Sequence, residues 1–267
     1  MVNAGPSFLS EDKRLDVKSK AQSVIVENSL KGLTDIFDII EDKAFLIKRP
    51  YTHNDGKPKF SGFCTYMLDN FVVFINTAYS LGHQRYTAAH ELYHIYFDSE
   101  DLKKNKLLKD DESNSDNEDL AQGFASELLM PEDRFKKAFF SEVSDGPFTV
   151  NEAIRLNNKF KVSYKASLMR CLQLNLISLE TFNELVEYGT VDKMEELHHL
   201  TRDNGYKIDL LIPSNEISIS RKFVDYAIDN FEDGKISESR LISILEFAGI
   251  DDVVEIIEHK QPKVDTE

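Results

Sequence analysis

The chain has 267 residues, 41% of them hydrophobic, which suffices for one large domain or two small ones and excludes a disordered chain. Its formal net charge of −15 at pH 7 argues against general binding to nucleic acids or anionic membranes. The same charge could attract a basic protein partner.

The compartment is predicted from what the sequence lacks. Residues 1–6 contain no apolar run of the kind that directs export, and no apolar stretch is long enough to span a bilayer. The two cysteines, Cys64 and Cys171, lack the spacing of a zinc cluster and are predicted to be buried free thiols. We therefore expect a cytoplasmic protein.

The first part of the chain predicts two helices followed by a small sheet. The helices are predicted over Leu15–Leu30 and Asp35–Ile40, and the first strand over Ala44–Lys48. Two further strand-like runs, Gly62–Leu68 and Phe71–Asn76, are separated by residues with turn chemistry and predict a hairpin. We expect this sheet to support the helix that follows it.

That helix, predicted from Gln84 to Asp98, contains an H-E-x-x-H pattern. His90 and His94 are four residues apart, so on a helix both imidazoles lie on one face and can bind one metal ion. Glu91 projects about 100° round the helix from His90, where a general base for a metal-bound water is expected. The alternative is a pair of surface histidines on an amphipathic helix.

The same helix offers several side chains that could stabilise an oxyanion or line a cleft. These candidates are Tyr86, Tyr93, Tyr96 and His83. The sequence does not rank them. For His83, two turns before His90, we favour a role at the helix start over one in the cleft. Gln84 and Arg85 are expected at the solvent end.

A catalytic zinc ion needs three protein ligands and one open position. The third is predicted from a helix over Asp116–Pro131, in which Glu118 shares the inward face of the apolar positions. Glu118 is therefore preferred to Asp119 and Glu127 as the ligand. The alternative is that Glu118 is only a first-turn acid favoured by the helix dipole. Two histidines and one carboxylate also suit manganese or iron(II).

The stretch from Asp98 to Asp119 joins the two ligand-bearing helices and is densely charged. It is predicted to be a mobile solvated loop that could act as a lid. It lacks the glycine and the ligand spacing of a calcium-binding loop.

Downstream, one helix is predicted over Pro131–Phe140, and a tightly joined pair over Val150–Phe160 and Ser163–Leu174. The pair has the form of a helix-turn-helix unit, and a further helix is predicted over Ser178–Tyr188. Because residues 148–178 are locally basic, direct DNA contact is kept as an alternative. We favour packing of this unit on the first domain.

The last part of the chain predicts a small, mainly helical appendage for oligomerisation or partner recognition. Its predicted elements are a helix over Met194–Leu200, a strand over Tyr206–Ile212, and helices over Ser218–Phe231, Ser237–Phe247 and Asp251–His259. The predicted domains are accordingly residues 1–145, 146–190 and 191–267.

Two segments carry a family resemblance. Arg85–His94 reads R-Y-T-A-A-H-E-L-Y-H, and Glu118–Pro131 reads E-D-L-A-Q-G-F-A-S-E-L-L-M-P. Together they resemble the ImmA/IrrE family of metallopeptidases, typically R-F-T-x-A-H-E-x-x-H followed by E-x-x-A-N-x-F-A-x-E-L-L-M-P. The similarity covers residues 16–140, about half of the chain. This sequence departs from the pattern at Gln122, where the family usually has Asn, and at Tyr93, where it often has Gly.

The resemblance implies an α+β fold: a zincin-like domain with a small sheet packed on the H-E-x-x-H helix, followed by a mainly α-helical C-terminal region. It implies a cytoplasmic zinc endopeptidase that cleaves a helix-turn-helix repressor and that often acts on mobile elements or in stress responses. His90, His94 and Glu118 would bind the metal, and Glu91 would act as the base. The alternative function is a non-proteolytic module that binds a repressor or DNA.

Overall fold

The computed structural model describes residues 9–67, 69–105, 115–143 and 146–250. Two helices, α1 (Glu11–Leu30) and α2 (Ile36–Lys43), precede the sheet. Each begins at a side-chain cap: Ser10 accepts a hydrogen bond from an N–H of the first turn of α1, and Asp35 does so for α2. Such caps satisfy N–H groups that have no partner within the helix.

A four-stranded mixed sheet supports the rest of the fold. Its strands are β1 (Ala44–Arg49), β2 (Gly62–Met67), β3 (Asn70–Asn76) and β4 (Ser218–Ile219), in the order β2-β3-β1-β4. The predicted hairpin is confirmed as the antiparallel pair β2–β3, and β1 runs parallel to β3. The helix predicted from Ser218 instead begins at Arg221, because residues 218 and 219 pair with β1 as a strand.

Helix α3 (Leu81–Phe97) lies against this sheet and against α5 (Ser115–Leu129). A Cβ atom at Gly62 on β2 would lie 2.6 Å from Thr87 Cγ2 and 2.6 Å from the Phe74 carbonyl oxygen. The strand can therefore approach α3 this closely only with glycine at this position.

The charged stretch after α3 is only partly a loop. Residues Ser99–Asn105 form a short helix, α4, which corrects the prediction of a continuous solvated loop. Leu102 is fully buried and anchors α4 on the first apolar core. The lid was predicted for the whole stretch from Asp98 to Asp119, of which residues 106–114 lie outside the described part of the chain.

Five α-helices follow in the described residues between 132 and 203, and the predicted helix pair is confirmed. They are α6 (Glu132–Glu142), α7 (Val150–Phe160), α8 (Tyr164–Gln173), α9 (Leu179–Val186) and α10 (Met194–Asp203). The turn between α7 and α8 packs on the start of α3, where a Cβ atom at Gly82 would lie 2.5 Å from the Ser163 nitrogen. The helix pair thus contacts the first domain, as we favoured.

The strand predicted over Tyr206–Ile212 is wrong. This segment forms turns, and its carbonyl groups bind the start of α3: Leu81 N–H donates to Ile212 O and Gly82 N–H to Leu210 O, both at 3.1 Å. The first N–H groups of a helix have no partner within the helix. Here they bind carbonyl groups of residues 210 and 212, which in a strand would have bound a neighbouring strand. We call residues 206–217 the strap.

The described residues form three apolar clusters. The first runs from Val17 to Leu128, between the sheet and α1, α3 and α5, and the second from Met130 to Leu197. The third is small and lies between α11 (Arg221–Glu232) and α12 (Glu238–Phe247). The predicted domain boundaries stay predictions, and the predicted helix 251–259 lies outside the described residues. None of the described helices is long and apolar enough to cross a membrane.

Candidate metal centre

The two histidines of α3 point at one another across a single helical turn. Their Nε2 atoms are 3.2 Å apart, and His94 is buried. Zinc–nitrogen bonds of about 2.0–2.1 Å at tetrahedral angles hold two ligand nitrogens about 3.3 Å apart. The separation in this chain therefore fits two imidazoles that bind one ion.

Glu118, near the start of α5, completes the group. Its carboxylate oxygens lie 3.1 Å from His90 Nε2 and 3.6 Å from His94 Nε2. The hydrogen bond with His90 lowers the pKa of Glu118, so the carboxylate is charged at neutral pH. One ligand atom from each of the three residues lies within 4.8 Å of the other two. Two imidazoles and one carboxylate are a donor set that suits zinc.

The two rival carboxylates are placed elsewhere. Glu127 is buried and accepts a hydrogen bond of 2.6 Å from Arg170 on α8. Asp119 lines a separate small cavity that is bordered by α1, α5 and residues 170–175. Of the three acids considered from the sequence, only Glu118 therefore reaches the histidines.

Asp98, at the C-terminal end of α3, is a residue of this site that we did not identify from the sequence. His94 Nδ1 donates a hydrogen bond of 2.8 Å to its buried carboxylate, and Nε2 of the same ring is directed at Glu118. Asp98 lies four residues after His94, on the same helical face, so the spacing could have indicated it. A carboxylate in this position fixes both the tautomer and the ring orientation of a metal-binding histidine.

We expect Asp98→Asn to weaken metal binding about 10–100-fold, because the amide cannot hold His94 as the carboxylate does. Competition with a chromogenic chelator measures the affinity. Asp101→Asn, which removes an exposed acid on α4, is the matched control and should leave the affinity unchanged. Equal affinities for Asp98→Asn and the unaltered protein would exclude this role.

A cleft of about 730 Å³ opens over these residues. His90, His94, Glu118 and Glu91 lie along it, and Cys64 of β2 forms part of the facing wall. Burial, with a further contribution from the nearby Glu91 carboxylate, raises the pKa of Cys64 and keeps it a neutral thiol. Glu91 is thus a buried residue that lines the same cleft as the three ligand residues.

The four side chains considered for the oxyanion are dispersed. Tyr93 is 2% exposed and packs on Phe97 and Phe124, and Tyr96 accepts a hydrogen bond from Asn28 on α1. Neither residue belongs to the cleft wall. Tyr93 stands where the resembling family often has Gly, but it does not narrow the cleft.

Tyr86 and His83 do line the cleft. The Tyr86 hydroxyl donates to the Gln122 carbonyl at 2.9 Å and also contacts the Ser126 hydroxyl. His83 stacks on Tyr79, and burial lowers its pKa to about 4, so its ring is neutral. His83 lies seven residues before His90, about 10 Å along the helix axis, which is too far to contact an atom held between the histidines.

A small mixed sheet packed on an H-E-x-x-H helix, with a carboxylate supplied as the third ligand by a second helix, defines a zincin-like α+β fold with a helical C-terminal region. Residues 47–172 match the family model of the IrrE N-terminal-like domain, Peptidase_M78. Residues 47–172 therefore form an IrrE N-terminal-like metallopeptidase domain, and the resemblance to the ImmA/IrrE family is confirmed over this part of the chain. Comparison with curated proteins gives no match for this chain. The family supports a metallopeptidase-type function.

Proposed function

We propose that this chain is a zinc-dependent endopeptidase that cleaves a protein substrate. The observation that carries the proposal is the group of two imidazoles and one carboxylate, with ligand atoms within 4.8 Å, in the wall of a cleft of about 730 Å³. A closed structural zinc site has four protein ligands, whereas a catalytic site leaves one position open. Three donors facing a cleft of this size suit the catalytic kind.

Each residue has a distinct part in the reaction. His90, His94 and Glu118 would hold the ion, with His94 oriented by Asp98. When bound, zinc would supply Lewis acidity that polarises a carbonyl and lowers the pKa of water towards about 7. Glu91 takes the proton of the attacking water and delivers it to the leaving amine.

The sheet offers a way to hold the substrate. β2 is the outer strand next to β3, and residues 61–64 line the cleft beside Glu91. An extended peptide can pair with such an edge through backbone hydrogen bonds, which hold it largely independently of its side chains. We propose that the scissile peptide lies along β2, between this strand and α3.

The proposed substrate is a helix-turn-helix repressor, as the family resemblance implies, and the proposed place of the reaction is the cytoplasm. An acidic enzyme with a net charge of −15 would attract a repressor with a basic DNA-binding surface. The proposed substrate and compartment do not depend on which residues bind the metal.

Metal content tests the ligand set directly. We expect about one zinc ion per chain in the purified protein, and loss of that zinc in both His94→Ala and Glu118→Ala, because each removes one of three ligands. Elemental mass spectrometry measures the content. Asp119→Ala removes the neighbouring carboxylate and is the matched control, with zinc retained. A protein that neither contains nor takes up a divalent metal would overturn the proposal.

The alternative of direct DNA binding has less support. Of the basic side chains on the helix pair, Arg155 pairs with Glu142 at 2.8 Å and Arg170 with Glu127 at 2.6 Å. Most of α8, the helix that would enter a groove, is buried. A module that binds a repressor without cutting it would not need Glu91 in the same cleft as three metal-binding side chains. We therefore favour the peptidase.

A further inference from the structure

The wall of the cleft at the start of α3 includes a group of apolar side chains that comes mainly from beyond the family domain. Its half-buried members are Met169, Met194, Leu210 and Leu211, backed by the buried Leu197. All except Met169 follow residue 172, where the match to the family ends. The C-terminal part of the chain thus builds a wall of the cleft that the family domain does not itself supply.

This wall is held firmly by the strap. Leu210 and Ile212 accept hydrogen bonds from the first N–H groups of α3, and Gln84 donates to the Ser214 hydroxyl at 3.1 Å. Further along, Asn215 N–H donates to Thr77 O. These hydrogen bonds fix the backbone of the strap against α3, and so they hold its leucine side chains at the cleft.

The distance of this wall from the metal centre follows from the helix. The Leu210 carbonyl accepts a hydrogen bond from Gly82, which lies eight residues before His90. At 1.5 Å per residue, Gly82 and His90 are about 12 Å apart along the helix axis. An extended peptide advances about 3.3 Å per residue. The wall therefore stands about three to four residues from a peptide bond placed at the metal centre.

The direction of β2 determines whether the wall contacts substrate residues before or after the cleaved bond. Gly62 lies against Thr87, and Cys64 lies near Glu91, so β2 advances along α3 in the same direction. A peptide that pairs antiparallel with β2 runs the opposite way. Its residues after the cleaved bond then lie towards Gly82 and the strap.

We propose that the strap and the α8–α10 region form an apolar subsite that selects a bulky apolar side chain three to four residues after the cleaved bond. This proposal rests on the peptidase function proposed above. The exposed Lys59 and Lys165 also line the cleft, and a subsite dominated by them would instead select an acidic side chain.

A peptide library tests this. The zinc-loaded protein is incubated with a proteome-derived peptide mixture, and mass spectrometry identifies the residues on both sides of each cut. We expect Leu, Ile, Met and Phe to be enriched about tenfold or more at the third or fourth position after the cut, since burial of such side chains changes equilibrium constants by this order. Leu210→Lys and Leu211→Lys should abolish the enrichment, and Leu210→Phe should shift it to smaller side chains.

Val191→Lys is the matched control, because Val191 is 93% exposed and outside the cleft wall, and it should leave the enrichment unchanged. Zinc content and circular dichroism show whether each variant folds, and Leu210→Phe tests the subsite without adding a charge. Cleavage without enrichment at these positions, or enrichment of acidic residues there, overturns the subsite alone. No cleavage by the unaltered, zinc-loaded protein overturns the proposed peptidase and the subsite together.

Discussion

Glu91→Gln should retain its zinc and lose peptide cleavage by about 10²–10⁴-fold, the usual contribution of a general base. Glutamine has nearly the same shape as glutamate but cannot take a proton from water at neutral pH. Glu91 is not one of the three grouped donors, so its replacement should leave metal content unchanged. Initial rates on a cleaved peptide, with zinc measured on the same samples, separate the two properties.

Glu100→Gln is a suitable control, because Glu100 on α4 is exposed and pairs only with Lys103 in the described contacts. It should change neither rate nor zinc content. If Glu91→Gln cleaved at the rate of the unaltered protein, Glu91 would not be the base. If it lost zinc together with activity, its role would be structural.

The second large effect is expected at the buried ion pair of Arg170 and Glu127. Each side chain is 4% exposed, and Arg170 also donates to the Met130 carbonyl. Arg170→Ala leaves a carboxylate without its partner in the interior, which costs about 3–5 kcal/mol of unfolding free energy. Urea unfolding at neutral pH measures this loss.

A double variant distinguishes an unpaired charge from lost packing. Arg170→Met with Glu127→Leu removes both charges at similar volume, and should recover most of the stability lost in Arg170→Ala. If the double variant were no more stable than Arg170→Ala, the pair would contribute to stability through its packing and its other hydrogen bonds rather than through the compensation of charge. The pair joins α5, which carries Glu118, to α8, so metal affinity should follow stability in these variants.

Features that depend on local spacing could be predicted from the sequence. The four-residue interval of His90 and His94 fixes their common face, and alternation around a short turn predicts the β2–β3 hairpin. Glu118 was predicted because the apolar positions of α5 define an inward face that includes it. In each case the determining interactions lie within one or two helical turns or one pair of strands.

Features that depend on distant partners could not be predicted. Gln84 was expected in solvent but is fully buried, since its amide binds the Tyr79 carbonyl and the Ser214 hydroxyl, 130 residues away. The apolar residues of the strap predict a strand, but they suit the observed turns equally well. Asp98 lies in a densely charged stretch that predicts a solvated loop, although its i,i+4 relation to His94 is a local signal.

The pairing of β4 with β1 has a consequence for how the chain behaves in solution. Ile219 and Ser218 cover the edge of β1 at Ile47 and Lys48, and the Ser220 hydroxyl accepts a hydrogen bond from Leu46 N–H. An uncovered strand edge offers its backbone to other chains and promotes aggregation. The C-terminal segment therefore protects the chain against self-association. A fragment restricted to the family domain would leave the edge of β1 uncovered and would tend to aggregate, even with an intact metal centre.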